Sequence, residues 1–164
     1  MTTYRHRLTA PDAPARPPRI ILLLTLLLGL AHLNTAVAED VGQWRGRGHT
    51  GVYRETGLRK SWPDNGPPRL WKTDGIGAGY SSPVTANGKI FFTGIRDDDG
   101  RKVEFMSCLD IADGKVLWQT VYGSPWSRDY PAARTTPSVS KGDVFAISGS
   151  GEVVCINAET GKLA

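Results

Sequence analysis

A chain of 164 residues carries 20 Lys and Arg against 16 Asp and Glu, and its length suits a single domain. Four of the basic and one of the acidic residues fall within residues 1–38, so residues 39–164 hold 16 basic and 15 acidic side chains. The basic balance is therefore a property of the leading segment, and no nucleic-acid partner is expected. Residues 39–164 also contain 18 Gly and 7 Pro, which excludes long helices and coiled coils and favours short strands joined by turns.

Residues 1–19 include Arg5, Arg7, Arg16 and Arg19, residues 20–33 are a 14-residue apolar run, and Ala36-Val37-Ala38 precedes Glu39. A cationic start, a run of that length and a small-residue site predict a signal peptide over residues 1–38, cleaved after Ala38. Read on to Ala38, the same run is 19 residues long and would serve as a membrane anchor instead. The A-x-A site and the acidic residues behind it favour cleavage, leaving a periplasmic or secreted protein with no membrane partner. No Cys lies near the site, which argues against a lipid anchor.

Residues 39–68 are read as an entry segment, and a repeat follows. Leu70-Trp71-Lys72-Thr73 returns as Leu117-Trp118-Gln119-Thr120, Cys108-Leu109-Asp110 as Cys155-Ile156-Asn157, and Gly114-Lys115 as Gly161-Lys162, all at an offset of 47. Ser82-Pro83-Val84, Gly88 and Ile90-Phe91 return as Thr136-Pro137-Ser138, Gly142 and Val144-Phe145 at an offset of 54. Seven extra residues lie between Trp118 and Pro137, and the interval up to Cys155 is shorter by the same number. One unit predicts four strands: residues 81–86, an Asn87-Gly88 turn, residues 89–95, a turn over residues 96–100, residues 103–110, an Ala112-Asp113-Gly114 turn, and residues 115–122. Four short strands in 40–50 residues are the unit of a β-propeller, whose sheets stand radially around an axis. The fold expected is all-β, a propeller of four-stranded antiparallel blades, incomplete in this chain at about two blades. A terminal strand at residues 70–73, a blade over 81–122 and a partial blade over 135–164 make up the region 69–164.

The run from Cys108 to Trp118 (CLDIADGKVLW) resembles the tryptophan-docking motif A-x-D-x-x-T-G-x-x-x-W of PQQ-like, quinoprotein-type propellers. It departs from that motif at Cys108 and Asp113, and the second copy carries Asn157 for Asp. Trp44-Arg45-Gly46, Trp62-Pro63 and Gly79-Tyr80-Ser81-Ser82-Pro83 are similar to the entry of bacterial members of the superfamily. The resemblance implies a structural docking set of Trp71, Asp110, Gly114, Trp118, Asn157 and Gly161. In that set each Gly supplies a turn position with positive φ. Asp110 accepts amide hydrogens of the turn, and Trp118 lies between blades with its N–H needing a partner.

Catalytic chemistry is sparse. His49 is the only histidine after residue 38, which excludes a His-based triad or a multi-His metal site, and it is read as a solvated loop residue. Asp97-Asp98-Asp99-Gly100 fails the calcium-loop pattern, because Ile95 and Met106 stand where ligands are needed; it is read as a charged turn. Gly75-Ile76-Gly77-Ala78-Gly79 lacks the lysine and the following helix of a phosphate loop. Cys108 and Cys155 occupy equivalent positions in successive repeats, too far apart to bridge, and are expected to be reduced and buried. Tyr130 and Arg134, in the long connection into the second unit, are the candidate partner-binding pair.

The repeat predicts a third Trp one position beyond Ala164, so the chain is read either as the N-terminal part of a longer propeller, whose remaining blades are partners of this segment, or as a truncated reading frame. On that reading residues 39–164 alone are not expected to fold cooperatively as a monomer. The favoured function is an exported, non-catalytic binding or scaffolding module whose loops hold a protein partner, with no cofactor or metal in this segment. The alternative is the leading part of a PQQ-dependent dehydrogenase, which would bring PQQ and calcium; neither catalytic nor cofactor-binding residues are identifiable for it.

Overall fold

Asn87-Gly88, Asp99-Gly100 and Lys141-Gly142 each place two consecutive residues at positive φ, at 51° and 72°, 51° and 80°, and 51° and 88°. That pairing makes a two-residue hairpin turn whose hand matches the right-handed twist of the strands it joins. The computed structural model describes residues 39–164; the expected leader lies outside the described residues. Strands β1 (Val84–Ala86), β2 (Lys89–Asp98), β3 (Arg101–Asp110) and β4 (Val116–Gly123) form an antiparallel sheet in the order β1-β2-β3-β4. Strands β5 (Ser138–Ser140), β6 (Asp143–Ile147) and β7 (Val153–Asn157) form a second, in the order β5-β6-β7. A 3₁₀ turn at Arg47–His49 is the sole helical element among the described residues. The structure is thus all-β, with one complete and one three-stranded propeller-like blade.

The repeat offsets reappear as register. Phe91 pairs with Cys108 in the first sheet and Phe145 with Cys155 in the second. Ile111 N–H donates to the Gly88 carbonyl at 3.0 Å, and Ala158 N–H to the Gly142 carbonyl at 2.9 Å. Alternation then divides each sheet into two faces. Phe91, Met106 and Cys108 point from the first sheet to the second, where Val144, Ala146 and Ile156 meet them in one buried cluster closed by Val84, Ala86 and Tyr122. Residues 40–42 run along the inner edges of both sheets. Val41 N–H donates to Thr85 Oγ1, Thr85 N–H to the Val41 carbonyl, and Val139 N–H to the Gly42 carbonyl, at 2.9, 3.0 and 2.6 Å.

Several expected boundaries move. Residues 70–73 are not a strand: no described segment offers them a ladder partner, and they lie extended against the first sheet through side chains. The opening strand starts at Val84 rather than residue 81, because Pro83 has no N–H to give the ladder. The turn expected over residues 96–100 shrinks to Asp99-Gly100. The ladder continues to Asp98 opposite Arg101, and Gly100 N–H donates to Asp97 Oδ1 at 2.7 Å. In the second blade, strand pairing runs over Ser138–Asn157 and ends in an isolated bridge between Ile156 and Leu163. Both cysteines are free; Cys108 is buried, whereas Cys155 is half-buried, since it lies beside Phe145 on the sheet's outer face.

One charge is buried between the sheets. Glu104, 1% exposed on β3, accepts a hydrogen bond from the Gly149 N–H in the β6–β7 turn at 2.9 Å. Burial raises its carboxyl above the ordinary glutamate range, and the nearby Glu152 charge adds to this. The Tyr122 hydroxyl, buried without a hydrogen-bond partner, is also pushed up, chiefly by burial and then by the Glu104 charge. A carboxyl raised on folding binds more protons in the native state than in the unfolded state between the two pKa values. Its contribution is therefore greatest below the unfolded value of about 4.3, and is lost as pH rises through the folded value. Glu104→Gln keeps an acceptor for Gly149 and removes this dependence. Thermal melts at fixed protein concentration should show wild type losing stability relative to Glu104→Gln as pH rises from about 4. Glu104→Ala, which orphans the amide, should lie about 1–3 kcal/mol below Glu104→Gln at all pH values.

Candidate functional site

The docking set converges on two contacts of the same form. Trp118, on β4, donates its indole N–H to the Ala158 carbonyl at 3.1 Å, and Trp71 donates to the Ile111 carbonyl at 3.1 Å. Two residues on, Thr120 Oγ1 donates to the Gly161 carbonyl and Thr73 Oγ1 to the Gly114 carbonyl. Asp110 Oδ1 accepts from Ala112 N–H at 2.8 Å, and Asn157 Oδ1 accepts from the Glu159 and Thr160 amides at 3.2 and 2.9 Å. Asp113 Oδ1 accepts from Lys115 N–H at 2.9 Å, the bond that Thr160 Oγ1 takes from Lys162 N–H at 3.4 Å. The Asp for Thr departure is thus a like-for-like replacement.

Gly114 and Gly161 sit at φ 72° and 70° beneath these indoles, and a Cβ at Gly161 would fall 2.7 Å from the Trp118 ring. Trp118 itself lies with its centroid 5.9 Å from that of Phe91. The tryptophans are therefore structural wedges that carry one turn of the next blade. Burial pushes the neighbouring Cys108 thiol up to about 12, so it is chemically inert at neutral pH.

The exposed polar and aromatic residues gather elsewhere. The connection between β4 and β5 is pinned to the segment before β1 by a parallel bridge between Gly79 and Ala133, with Tyr80 N–H donating to the Ala133 carbonyl at 2.8 Å. Ala132 and Ala133 are buried, and Thr93 Oγ1 donates to the Thr135 carbonyl at 2.8 Å. On this backbone Tyr80 and Tyr130 are 73% and 77% exposed and share a shallow depression with Arg134. Arg134 Nη2 donates to the carbonyls of Asp129 and Tyr130, which holds Tyr130 in its left-handed conformation at φ 53°. Earlier in the connection Arg128 lies 5.8 Å from the Trp126 ring. The expected pair, Tyr130 and Arg134, is thus brought together. Sequence reading missed Tyr80, whose place beside Gly79 at a strand entry was the available signal, and Glu104, a charge at the parity of Met106 and Cys108.

His49 is exposed, with Nδ1 3.1 Å from the Trp44 carbonyl oxygen. Among the described residues no group of three or more His, Cys, Asp or Glu side chains converges, and the one buried carboxylate, Glu104, is taken by Gly149. No helix among the described residues is long and apolar enough to cross a membrane.

Residues 100–164 match the family described as outer membrane protein assembly factor BamB. This stretch is a PQQ-like repeat. The match spans β3 to the closing Ile156–Leu163 bridge, and so covers the Trp118 dock and the Tyr130–Arg134 connection. No curated protein matches the chain.

Alanine at Gly161 and at Gly142 separates backbone conformation from docking. Both positions have positive φ, but a Cβ at Gly142 meets nothing within 4 Å. Gly142→Ala should cost about 1–2 kcal/mol for the left-handed conformation alone. Gly161→Ala should cost a further 1–3 kcal/mol, roughly, for displacing Trp118, with a red shift of tryptophan fluorescence as the indole is exposed.

Proposed function

We propose that the chain is an exported, non-catalytic binding or scaffolding module of the cell envelope that holds a protein partner on the patch of Tyr80, Tyr130 and Arg134. The observation that carries this reading is that two exposed tyrosines and an arginine stand on backbone fixed by cross-connection hydrogen bonds. Tyr, Trp and Arg are the residues that dominate binding energy at protein interfaces, and a pre-ordered loop loses little entropy on binding. Trp126 and Arg128, of the same residue types, pair with each other in the same connection. The matching family is described as an assembly factor of the outer membrane, a role that turns on protein contacts and not on turnover. Export rests on the basic start, apolar run and Ala36-Val37-Ala38 site, with Glu39 as the new N-terminus. The proposed module works without a cofactor.

A photo-activatable residue placed at Tyr130 in the full chain, produced in its native cells, tests this reading. Irradiation should give a discrete protein adduct from position 130 and none from Lys102 in the β2–β3 hairpin. Tyr80→Ala should reduce the adduct by tenfold or more, as roughly expected for an interface hot spot. An absent adduct, or one indifferent to Tyr80→Ala, would overturn the binding role. An intact mass that still includes residues 1–38 would overturn export by cleavage.

A further inference from the structure

The depression shared by Tyr80, Tyr130 and Arg134 lies where two connections of the same kind meet. At the offset of 54, Gly79 is the counterpart of Ala133, and Tyr80 is the counterpart of Arg134. The parallel bridge joins Gly79 to Ala133, so it sets Tyr80 beside Arg134, a ring in one connection next to a cation in the other. Within its own connection the guanidinium is tied to Tyr130, whose carbonyl accepts from Nη2 together with that of Asp129. Arg134 thus neighbours both tyrosines.

The cation has no counter-ion of its own. Among the described residues the ion pairs are Lys72–Asp74 and Lys89–Glu159, and Arg134 takes part in neither. Asp129 offers Arg134 its backbone carbonyl and not its carboxylate. No Asp or Glu among the described residues lines the depression. Residues 124–137 carry Arg128 and Arg134 against Asp129 alone, a local basic excess in a region, residues 39–164, that is close to neutral. Both contacts of the guanidinium use Nη2, so Nη1 and Nε keep hydrogens without a partner among the described residues. Anchored in this way, those donors lose little freedom when an acceptor arrives. A partner that bound on the rings alone would cover the guanidinium and leave a charged donor dry and unpaired, which is costly. A carboxylate removes that cost with a charge-assisted hydrogen bond, about twice as strong as a neutral one.

We propose that the partner presents an Asp or Glu side chain to this patch, its carboxylate accepting from the Nη1 or Nε hydrogens of Arg134. The residues flanking that acidic side chain pack on the rings of Tyr80 and Tyr130. This inference rests on the binding role given above and adds to it the chemistry of the partner. The acidic residue is an internal one. Each connection contributes a ring, so the bound segment continues to both sides of the carboxylate, as a chain terminus could not.

The test starts from the adduct formed at position 130 of the full chain, with the cross-linked segment of the partner read by mass spectrometry after digestion. That segment should contain an Asp or Glu. A synthetic peptide of the segment, and versions with each acidic residue changed in turn to its amide, are titrated against the full wild-type chain by fluorescence anisotropy. One amide version should bind about ten- to a hundredfold more weakly, the loss of one charged hydrogen bond. Against Arg134→Gln that version and the parent peptide should bind alike. The first comparison changes the peptide and not the chain, so it holds even if Arg134→Gln releases Tyr130. A segment without an acidic residue, or amide versions that all bind as the parent does, would overturn the carboxylate and leave the binding role standing. A difference that persists against Arg134→Gln would overturn the assignment to Arg134. An absent adduct, or a parent peptide that does not bind, would overturn the proposal as well, the former together with the binding role.

Discussion

An indole hydrogen bond carried from one blade to the turn of the next holds this molecule in register. Trp118 belongs by its backbone to the first sheet, yet its N–H satisfies a carbonyl of the second, and Trp71 does the same one step earlier. The carbonyls at Ile111 and Ala158 follow directly on the strand ends, where the chain leaves the ladder and its polar groups need new partners. A tryptophan serves both needs, filling the wedge between diverging radial sheets and donating the missing hydrogen bond. Glycine beneath the ring is then a steric requirement as well as a conformational one, since any side chain there would lift the indole.

Around that contact the inter-blade space is mostly dry. Phe91, Met106, Cys108, Val144 and Ile156 fill it with hydrocarbon and sulfur, and Cys108 is held far from its reactive form. Glu104 is the departure. Its carboxylate is given to a single amide in a turn where Gly149 leaves no room for a side chain. A buried charge of this kind is a weak source of stability and a strict source of geometry, because only one placement of the β6–β7 turn satisfies it. Lys89 and Glu159, 2.9 Å apart nearer the surface, add a second tie between the same two sheets.

Much of this architecture was legible in the residues. Asn87-Gly88 marks its hairpin unaided, and the offset of 47 places Trp71 and Trp118 in equivalent contacts because the spacing from wedge to turn is set by strand length. What was hidden depended on partners distant in sequence. Residues 70–73 read as a strand because they copy part of β4, but a strand exists only beside another strand. The acidic run at residues 97–99 looked like a loop because local charge conceals that Asp97 and Asp98 face Lys102 and Arg101 across the ribbon. Cys155 looked buried by analogy with Cys108, and differs only because what covers an outer face is not written in the strand that forms it. The site followed the same division. Tyr130 and Arg134 stood out by type, whereas Tyr80 joins them only through the bridge from Gly79 to Ala133.

The short stretch at residues 40–42 has a mechanical consequence. Its backbone is stitched to Thr85 on one side and to Val139 on the other, so a pull applied at Asp40 loads both sheets together. Asp40 is itself tied to the Asn87 amide, which carries the load into the first hairpin. Tension from that direction would have to break these bonds before it could pry the sheets apart, so the seam between the blades is shielded from traction on the strap that spans it.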